Sequence, residues 1–375
     1  KSLLSIGNKP IISHLINKYP DDCEFVIPLG YKGKFIKQFL EIAYPSLKFV
    51  FVNIQPFEGK GSGLSHTLIS CKKFLQKPFV FMSCDTFVQD KIPPPIENWM
   101  AYDKKENCSP YRTIRLHNDL IDGICEKGSE LTKFNYPYIG LAGIKDYKSF
   151  WEGMGLIDHT QIEIGEVCGL RNIIKKQIKG IKMKWSDTGN LNSFEETSKL
   201  YFDKDGPNIL EKENEAIWFL KESVFKFSLD KDFISNRVKR SYLLEEYVPK
   251  IKNFTKNIYS YEKVEGEVLS NVINKKLFNS LLDLSEKFWE SYPPKNIDLK
   301  KFNIICKKFY KDKTYERVDS FLIKHPEIDQ IKLLNGEKVN SIYSLLSEID
   351  WVYLSNGKPV RFHGDFHFEN IIYNK

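Results

Sequence analysis

The stretch best suited to chemistry is Arg361-Phe362-His363-Gly364-Asp365-Phe366-His367-Phe368-Glu369-Asn370-Ile371-Ile372. A carboxylate is followed five residues later by an amide, between an apolar lead-in and an apolar run. Phosphoryl transfer asks for that order, with a carboxylate against the acceptor hydroxyl and an amide oxygen one short loop away to hold a metal on the phosphates. Asp365 is placed as the base and Asn370 as the metal ligand. Two more carboxylates lie in Ser83-Cys84-Asp85-Thr86, after the apolar run 79–82, and in Trp185-Ser186-Asp187-Thr188-Gly189-Asn190, ahead of a turn and a helix. Two aspartates on separate loops can share one Mg²⁺ while water and phosphate fill its other octahedral positions. A fourth candidate is Glu58-Gly59-Lys60-Gly61-Ser62-Gly63, whose alternate glycines let the backbone approach a flat ligand or a phosphate. It is not a Walker loop, because no Gly-Lys-Ser/Thr follows at the required spacing.

Such residues need elements to hold them. Before residue 203, apolar runs at 25–27, 49–52 and 79–82 alternate with helical periodicity at 11–19, 34–43, 64–75 and 193–201. This alternation predicts βαβ units and an α/β fold with a doubly wound, mostly parallel sheet, in which ligands gather where loops leave the carboxyl ends of strands. The polar segment 203–208 reads as a linker between a domain at 1–203 and a domain at 208–375. Beyond it, runs at 216–220 and 223–227 predict a hairpin turning at Lys221-Glu222, with Lys226 on the same face as Val224. Helical patterns at 236–247, 275–290, 299–310, 315–324 and 341–350 then predict an α+β domain with a small β-rich lobe and a helical lobe.

Composition narrows the function classes. A chain of 375 residues with 42% hydrophobic and 14% aromatic residues builds two cored domains rather than a disordered tract. The net charge of +7 comes from interleaved basic and acidic residues, which suits anionic small ligands and supplies no nucleic-acid arm. Seven cysteines without a Cys-x-x-Cys pair point to free thiols in a reducing cytoplasm, and against a zinc site or a disulfide framework. No apolar run approaches the length of a membrane span.

Two family resemblances follow from these motifs. Lys1-Ser2-Leu3-Leu4 with Gly7-Asn8-Lys9-Pro10, the loop Gly59 to Gly63, Asp85, and Asp187 in Trp-x-Asp-Thr-Gly together resemble the sugar-phosphate and phosphocholine nucleotidyltransferases over roughly residues 1–203. The resemblance implies that Lys1 steadies the phosphates and that Gly59, Gly61, Ser62 and Gly63 approach the nucleotide base. Asp85 and Asp187 become the Mg²⁺ ligands, and the reaction an in-line attack of an acceptor phosphate on an NTP with loss of pyrophosphate. The runs Ile124-Cys125-Glu126-Lys127-Gly128 and Tyr138-Ile139-Gly140 resemble the strand pair lining that family's acceptor pocket, and 163–166 falls where it places an acceptor-contacting acid. Lys127, Gly140 and Glu166 are accordingly assigned to the acceptor. His363-Gly364-Asp365 with Asn370 resembles the loop of the aminoglycoside phosphotransferase and choline kinase family, which implies ATP as a substrate and Lys226 as the strand lysine gripping its phosphates. Glu245 and Glu246 lie too late in their helix to be that lysine's partner.

The glycine-rich loop of the first family and the second metal aspartate of the other family do not fall within the sequence. The chain therefore reads as an internal piece of a bifunctional enzyme, impaired as it stands. One domain phosphorylates a small metabolite, a sugar or an aminoalcohol, and the other couples the phosphate to a nucleotide from CTP or UTP. The product is an NDP-sugar or a CDP-choline-like precursor of surface polysaccharide. The competing readings are a non-catalytic nucleotide- or sugar-phosphate-binding regulator, and a nucleotidyltransferase carrying a scaffold-only second domain.

Overall fold

The computed structural model describes residues 1–128, 135–156, 165–202, 212–289 and 297–374. It divides into two compact units, the first made of 1–239 with 249–263 and the second of 240–248 with 264–375. The expected linker at 203–208 lies outside the described residues.

The first unit begins with the pair β1 (Ser5–Ile6) and β2 (Lys9–Pro10), followed by α1 (Ile11–Ile16). Then come β3 (Glu24–Leu29), α2 (Gly33–Ala43), β4 (Lys48–Asn53) and α3 (Leu64–Cys71). Strands β5 (Phe79–Met82), β6 (Thr86–Val88), β7 (Trp99–Tyr102), β8 (Thr113–His117), β9 (Leu120–Cys125) and β10 (Asn135–Ile144) follow. Helices α4 (Tyr147–Gly155) and α5 (Val167–Ile173), strands β11 (Lys179–Lys182) and β12 (Trp185–Asp187), and α6 (Leu191–Leu200) complete this stretch. Every short apolar run expected as a strand here is one, because each supplies a face for a core.

Pairing direction differs from the expectation. The six-stranded sheet has the order β5-β10-β7-β11-β9-β8, and within it only β7 and β11 run parallel. Among the described residues the other parallel pair, β3 with β4, forms a sheet of its own. The sheet is thus mixed rather than mostly parallel. The physical reason is the hairpin β8–β9, turned at Asn118 and Asp119 with φ of 48° and 62°, after which β10 returns antiparallel between β5, β7 and β8. Strand β10 reads almost wholly apolar because both of its faces are covered. Tyr138, Ala142 and Ile144 join Phe150, Leu170 and Ile173 from α4 and α5 in one core, while Ile139 and Leu141 join Trp99, Met183 and Trp185 in another.

From residue 212 on come β13 (Glu215–Leu220), β14 (Ser223–Ser228), α7 (Lys231–Leu244), β15 (Ile251–Phe254) and β16 (Ile258–Glu262). The strands form an antiparallel sheet in the order β13-β14-β16-β15. Although the sequence groups it with 208–375, this sheet lies in the first compact unit, where Trp218, Leu220, Phe225 and Ile258 share a core with Ile12, Ile16, Phe39 and Leu40 of α1 and α2. Helix α7 starts five residues before its expected onset because the Asp230 carboxylate caps it, accepting the N–H of Asp232 at 2.9 Å and of Phe233 at 3.1 Å.

The described part of the second unit is helical, with four short strands paired two by two. Its elements are β17 (Glu267–Val268), α8 (Leu269–Val272), α9 (Lys275–Phe288), α10 (Leu299–Lys307) and α11 (Lys313–Lys324). The pair β18 (Leu333–Leu334) and β19 (Glu337–Lys338), helices α12 (Ile342–Ser347) and α13 (Trp351–Ser355), and strand β20 (Ile372–Tyr373) close it. The helix expected at 341–350 ends at Ser347, and a separate helix starts beyond it at Trp351, where Asp350 caps the start by accepting the N–H of Val352 and Tyr353.

Candidate active site

Strands β6 and β12 pair antiparallel with Thr86 opposite Asp187, which sets Asp85, one residue ahead of β6, beside the end of β12. Thr188 locks this register, since its N–H at 3.3 Å and its hydroxyl at 2.8 Å both donate to the Asp85 carbonyl. Asn190 then caps α6 by accepting the Ser193 N–H at 3.0 Å, and Thr197 on that helix donates to the Asp187 carbonyl at 3.0 Å. The turn carrying Asp187 is therefore held from a strand and from a helix.

Both carboxylates open onto Gly189. Its N–H donates to Asp187 Oδ1 at 2.8 Å, and a Cβ placed on it would lie 2.9 Å from that oxygen and 3.5 Å from Asp85 Oδ2. Lys1 reaches the same point, its Nζ donating to the Gly189 carbonyl and standing 3.8 Å from Asp85 Oδ2. With Lys1 half exposed, this ion pair adds no more than about 1 kcal/mol of stability, so its importance is positional. Tyr111 donates its phenol to Asp187 Oδ2 at 3.1 Å. Burial, and then the neighbouring Asp187 carboxylate, push that phenol up to about 12, so it stays a donor at neutral pH. Tyr111 was not singled out in the sequence, where it sits in an irregular stretch before β8 with no motif of its own.

Gly140 lies against the Asp85 loop. Its φ is +71°, its carbonyl accepts the Ser83 N–H at 2.8 Å, and a Cβ there would stand 2.8 Å from Ser83 Oγ and 3.2 Å from Thr86 Oγ1. Only glycine fits both the backbone conformation and the approach. Lys127 is exposed at the end of β9, next to Glu126. Partial burial opposes ionisation of Glu126, but hydrogen bonds from Arg112 at 2.8 Å and Arg171 at 2.6 Å outweigh it and hold its pKa below the usual range. Glu166 differs in kind. It is 3% exposed at the start of α5, and burial pushes its carboxyl up to about 7. Burial and then Glu166 hold Tyr138 well above the tyrosine range. Glu163, the neighbouring acid, lies outside the described residues.

The loop of Gly59, Gly61, Ser62 and Gly63 precedes α3. Gly59 and Gly61 have φ of 78° and 87°, and Ser62 closes a turn by donating its hydroxyl to the Gly59 carbonyl at 2.6 Å. The space beside Gly59 is open, with nothing within 4 Å of a Cβ position. Lys226 sits in β14 of the first unit, opposite Ile217 and Tyr259.

In the second unit, Asn370 donates its amide to the Asp365 carbonyl and to Asp365 Oδ2, both at 2.9 Å. His367 Nε2 lies 3.4 Å from Asp365 Oδ1 and 3.0 Å from the Asn370 amide. Strand β20 anchors the loop by pairing with β17, Val268 opposite Ile372, and Phe366 packs on Phe288 and Trp289. Asp365 and Asn370 are thus in direct contact within this loop.

Among the described residues no group of three or more His, Cys, Asp or Glu converges as a metal-ligand set. The Asp85 and Asp187 pair offers hard carboxylate oxygens, the donor type that Mg²⁺ takes, with water and phosphate left to complete an octahedral shell.

No protein family profile and no curated protein matches the chain. Solved structures similar to it include a Bacillus anthracis protein described as a glucose-1-phosphate thymidylyltransferase, at 19% identity, 56% of this chain, 89% of that one and a TM-score of 0.47. A UDP-glucose pyrophosphorylase gives 20% identity, 54% and 89% coverage and a TM-score of 0.44. The CTP:phosphocholine cytidylyltransferase of Streptococcus pneumoniae gives 12%, 53% and 88%, and 0.43. No described helix is long and apolar enough to cross a membrane.

Proposed function

We propose that the first unit is a nucleotidyltransferase. A phosphate oxygen of the acceptor attacks the α-phosphorus of an NTP, a new P–O bond forms, and pyrophosphate leaves with the electrons of the bond that breaks. The observation that carries this reading is the convergence of Asp85, Asp187 and Lys1 on Gly189. Asp85 and Asp187 would hold Mg²⁺, which when bound neutralises phosphate charge. Lys1 presents a cation to the same phosphates, Tyr111 fixes the rotation of the Asp187 carboxylate, and Thr188 fixes the spacing of the two loops. The open loop at Gly59 to Gly63 is where the base of CTP or UTP would lie. On the acceptor side, Lys127 is the exposed cation for a sugar phosphate or phosphocholine, Gly140 keeps the floor low, and Glu166, enclosed, shapes the wall.

The contact between Asp365 and Asn370 supports a second activity, in which Asp365 accepts the proton of a metabolite hydroxyl as it attacks the γ-phosphorus of ATP, with Asn370 as a Mg²⁺ ligand. One activity then makes the acceptor of the other, giving an NDP-sugar or CDP-choline-like product suited to surface polysaccharide synthesis. The test is Mg²⁺-dependent pyrophosphate release, with CTP and UTP screened against phosphocholine, phosphoethanolamine and hexosamine phosphates. Release with one pair supports the reading, and no release with any pair refutes it.

A further inference from the structure

The four-stranded sheet β13-β14-β16-β15 touches the segment that delivers Lys1. Strand β13 is its edge, with β14 on one side. On its other side the Phe219 N–H donates at 2.9 Å to the carbonyl of Asn8, which turns between β1 and β2 at a φ of 60°. Opposite, Gly7 comes so near the carbonyl of Tyr201, at the end of α6, that a Cβ would lie 2.9 Å from it. The Gly7–Asn8 turn is thus clamped between β13 and the helix that follows Asp187. From the turn, backbone bonds lead back to the site: Ile11 N–H to Leu4, Ile12 N–H to Ser2, and Leu4 N–H to Lys1. The sheet is itself fixed to the unit. Trp218 meets Phe39 edge-on at 5.0 Å, and Gln38 Oε1 accepts the Thr255 hydroxyl at 2.8 Å and the Asn257 N–H at 3.2 Å.

We propose that β13 is a positioning element for nucleotidyl transfer: the Phe219 N–H holds residues 1–10 so that Lys1 meets Asp85 and Gly189. This rests on the nucleotidyl-transfer reading above. The sheet that carries Lys226 is then a working part of the first site. Phe219 is a positioning residue and acts through its backbone, since it touches no reacting group.

A comparison of Phe219→Pro with Phe219→Ala isolates that N–H. Both lose the aromatic ring, but only proline loses the donor, and the donor faces away from β14, so the ladder survives. Exchange of the Leu4, Ile11 and Ile12 amides is expected to rise about 3- to 10-fold in Phe219→Pro over Phe219→Ala, and kcat for pyrophosphate release to fall by a similar factor with KM for the NTP little changed. Equal exchange in the two variants overturns the proposal, as does faster exchange with unchanged kcat. If Phe219→Pro does not fold, Gln38→Leu, which cuts the tie to Thr255 and Asn257, takes its place; unchanged exchange at the same amides then overturns it. Lys252→Ala, on the far strand β15, is expected to match wild type in both readouts. If wild type releases no pyrophosphate with any NTP, the function reading fails, while the exchange comparison still decides whether β13 holds the segment.

Discussion

Replacing Gly189 with alanine tests the site at its tightest point. The backbone there lies outside the left-handed region, so alanine adds no backbone strain, and its chain-entropy effect favours folding by up to about 1 kcal/mol. The new Cβ would stand 2.9 Å from Asp187 Oδ1, so that oxygen must retreat by about 0.5 Å to reach ordinary contact. The retreat also stretches the 2.8 Å bond from the Gly189 N–H and pulls on the Tyr111 phenol on the other oxygen. Since a misplacement of about 1 Å can cost a hundredfold in rate, half of it is expected to cost about tenfold, or about 1.4 kcal/mol at the transition state. Pyrophosphate release measured across a Mg²⁺ titration should therefore show kcat down about tenfold and a higher Mg²⁺ requirement, at a thermal midpoint near wild type. Wild-type kcat and Mg²⁺ dependence in Gly189→Ala would refute the placement of both carboxylates around that residue.

Further outcomes follow from other residues. Tyr111→Phe removes the donor to Asp187 and is expected to lower kcat about 3- to 30-fold. Because the phenol titrates near 12, variant and wild type should have parallel pH–rate profiles up to about pH 9. Glu166 is raised from near 4.5 to about 7, so the folded state holds its proton more tightly than the unfolded chain. Its contribution to stability is whole below about pH 4.5 and lost as pH rises through 7, a decline of a few kcal/mol at most. Denaturant melts should thus find Glu166→Gln more stable than wild type at pH 8 and little different at pH 4.5. In the second unit, Gly364 has a φ of +87° and a Cβ there would sit 2.7 Å from the Arg240 guanidinium, so Gly364→Ala should destabilise that loop by about 1–2 kcal/mol, read as faster amide exchange around Asn370.

Much of this arrangement was legible in the residues. Asp85 follows an apolar run and the turn chemistry of Thr188-Gly189-Asn190 marks a loop, but only the motif resemblance couples two aspartates 102 positions apart, which the β6–β12 pairing sets side by side. Strand direction was not legible. The run that became β10 is apolar in either orientation, and only the hairpin at Asn118 and Asp119 decides that it returns antiparallel. The division at 203–208 also went by local pattern. Trp218, Phe225 and Ile258 announce a buried face, but nothing in their spacing says that Phe39 and Leu40, far earlier in the chain, cover it. Tyr111 and the enclosure of Glu166 depend on such long-range packing, which no local periodicity encodes.

The central claim is that Asp85 and Asp187 form one site. Pyrophosphate release by Asp85→Ala, Asp187→Ala and the double variant measures it directly, with ATP-dependent phosphorylation of the free metabolite followed in parallel. Each single variant is expected to lose nearly all release, the double variant to be no worse than either, and phosphorylation to persist. Losses that multiply in the double variant, or a single variant that keeps wild-type release, would contradict it.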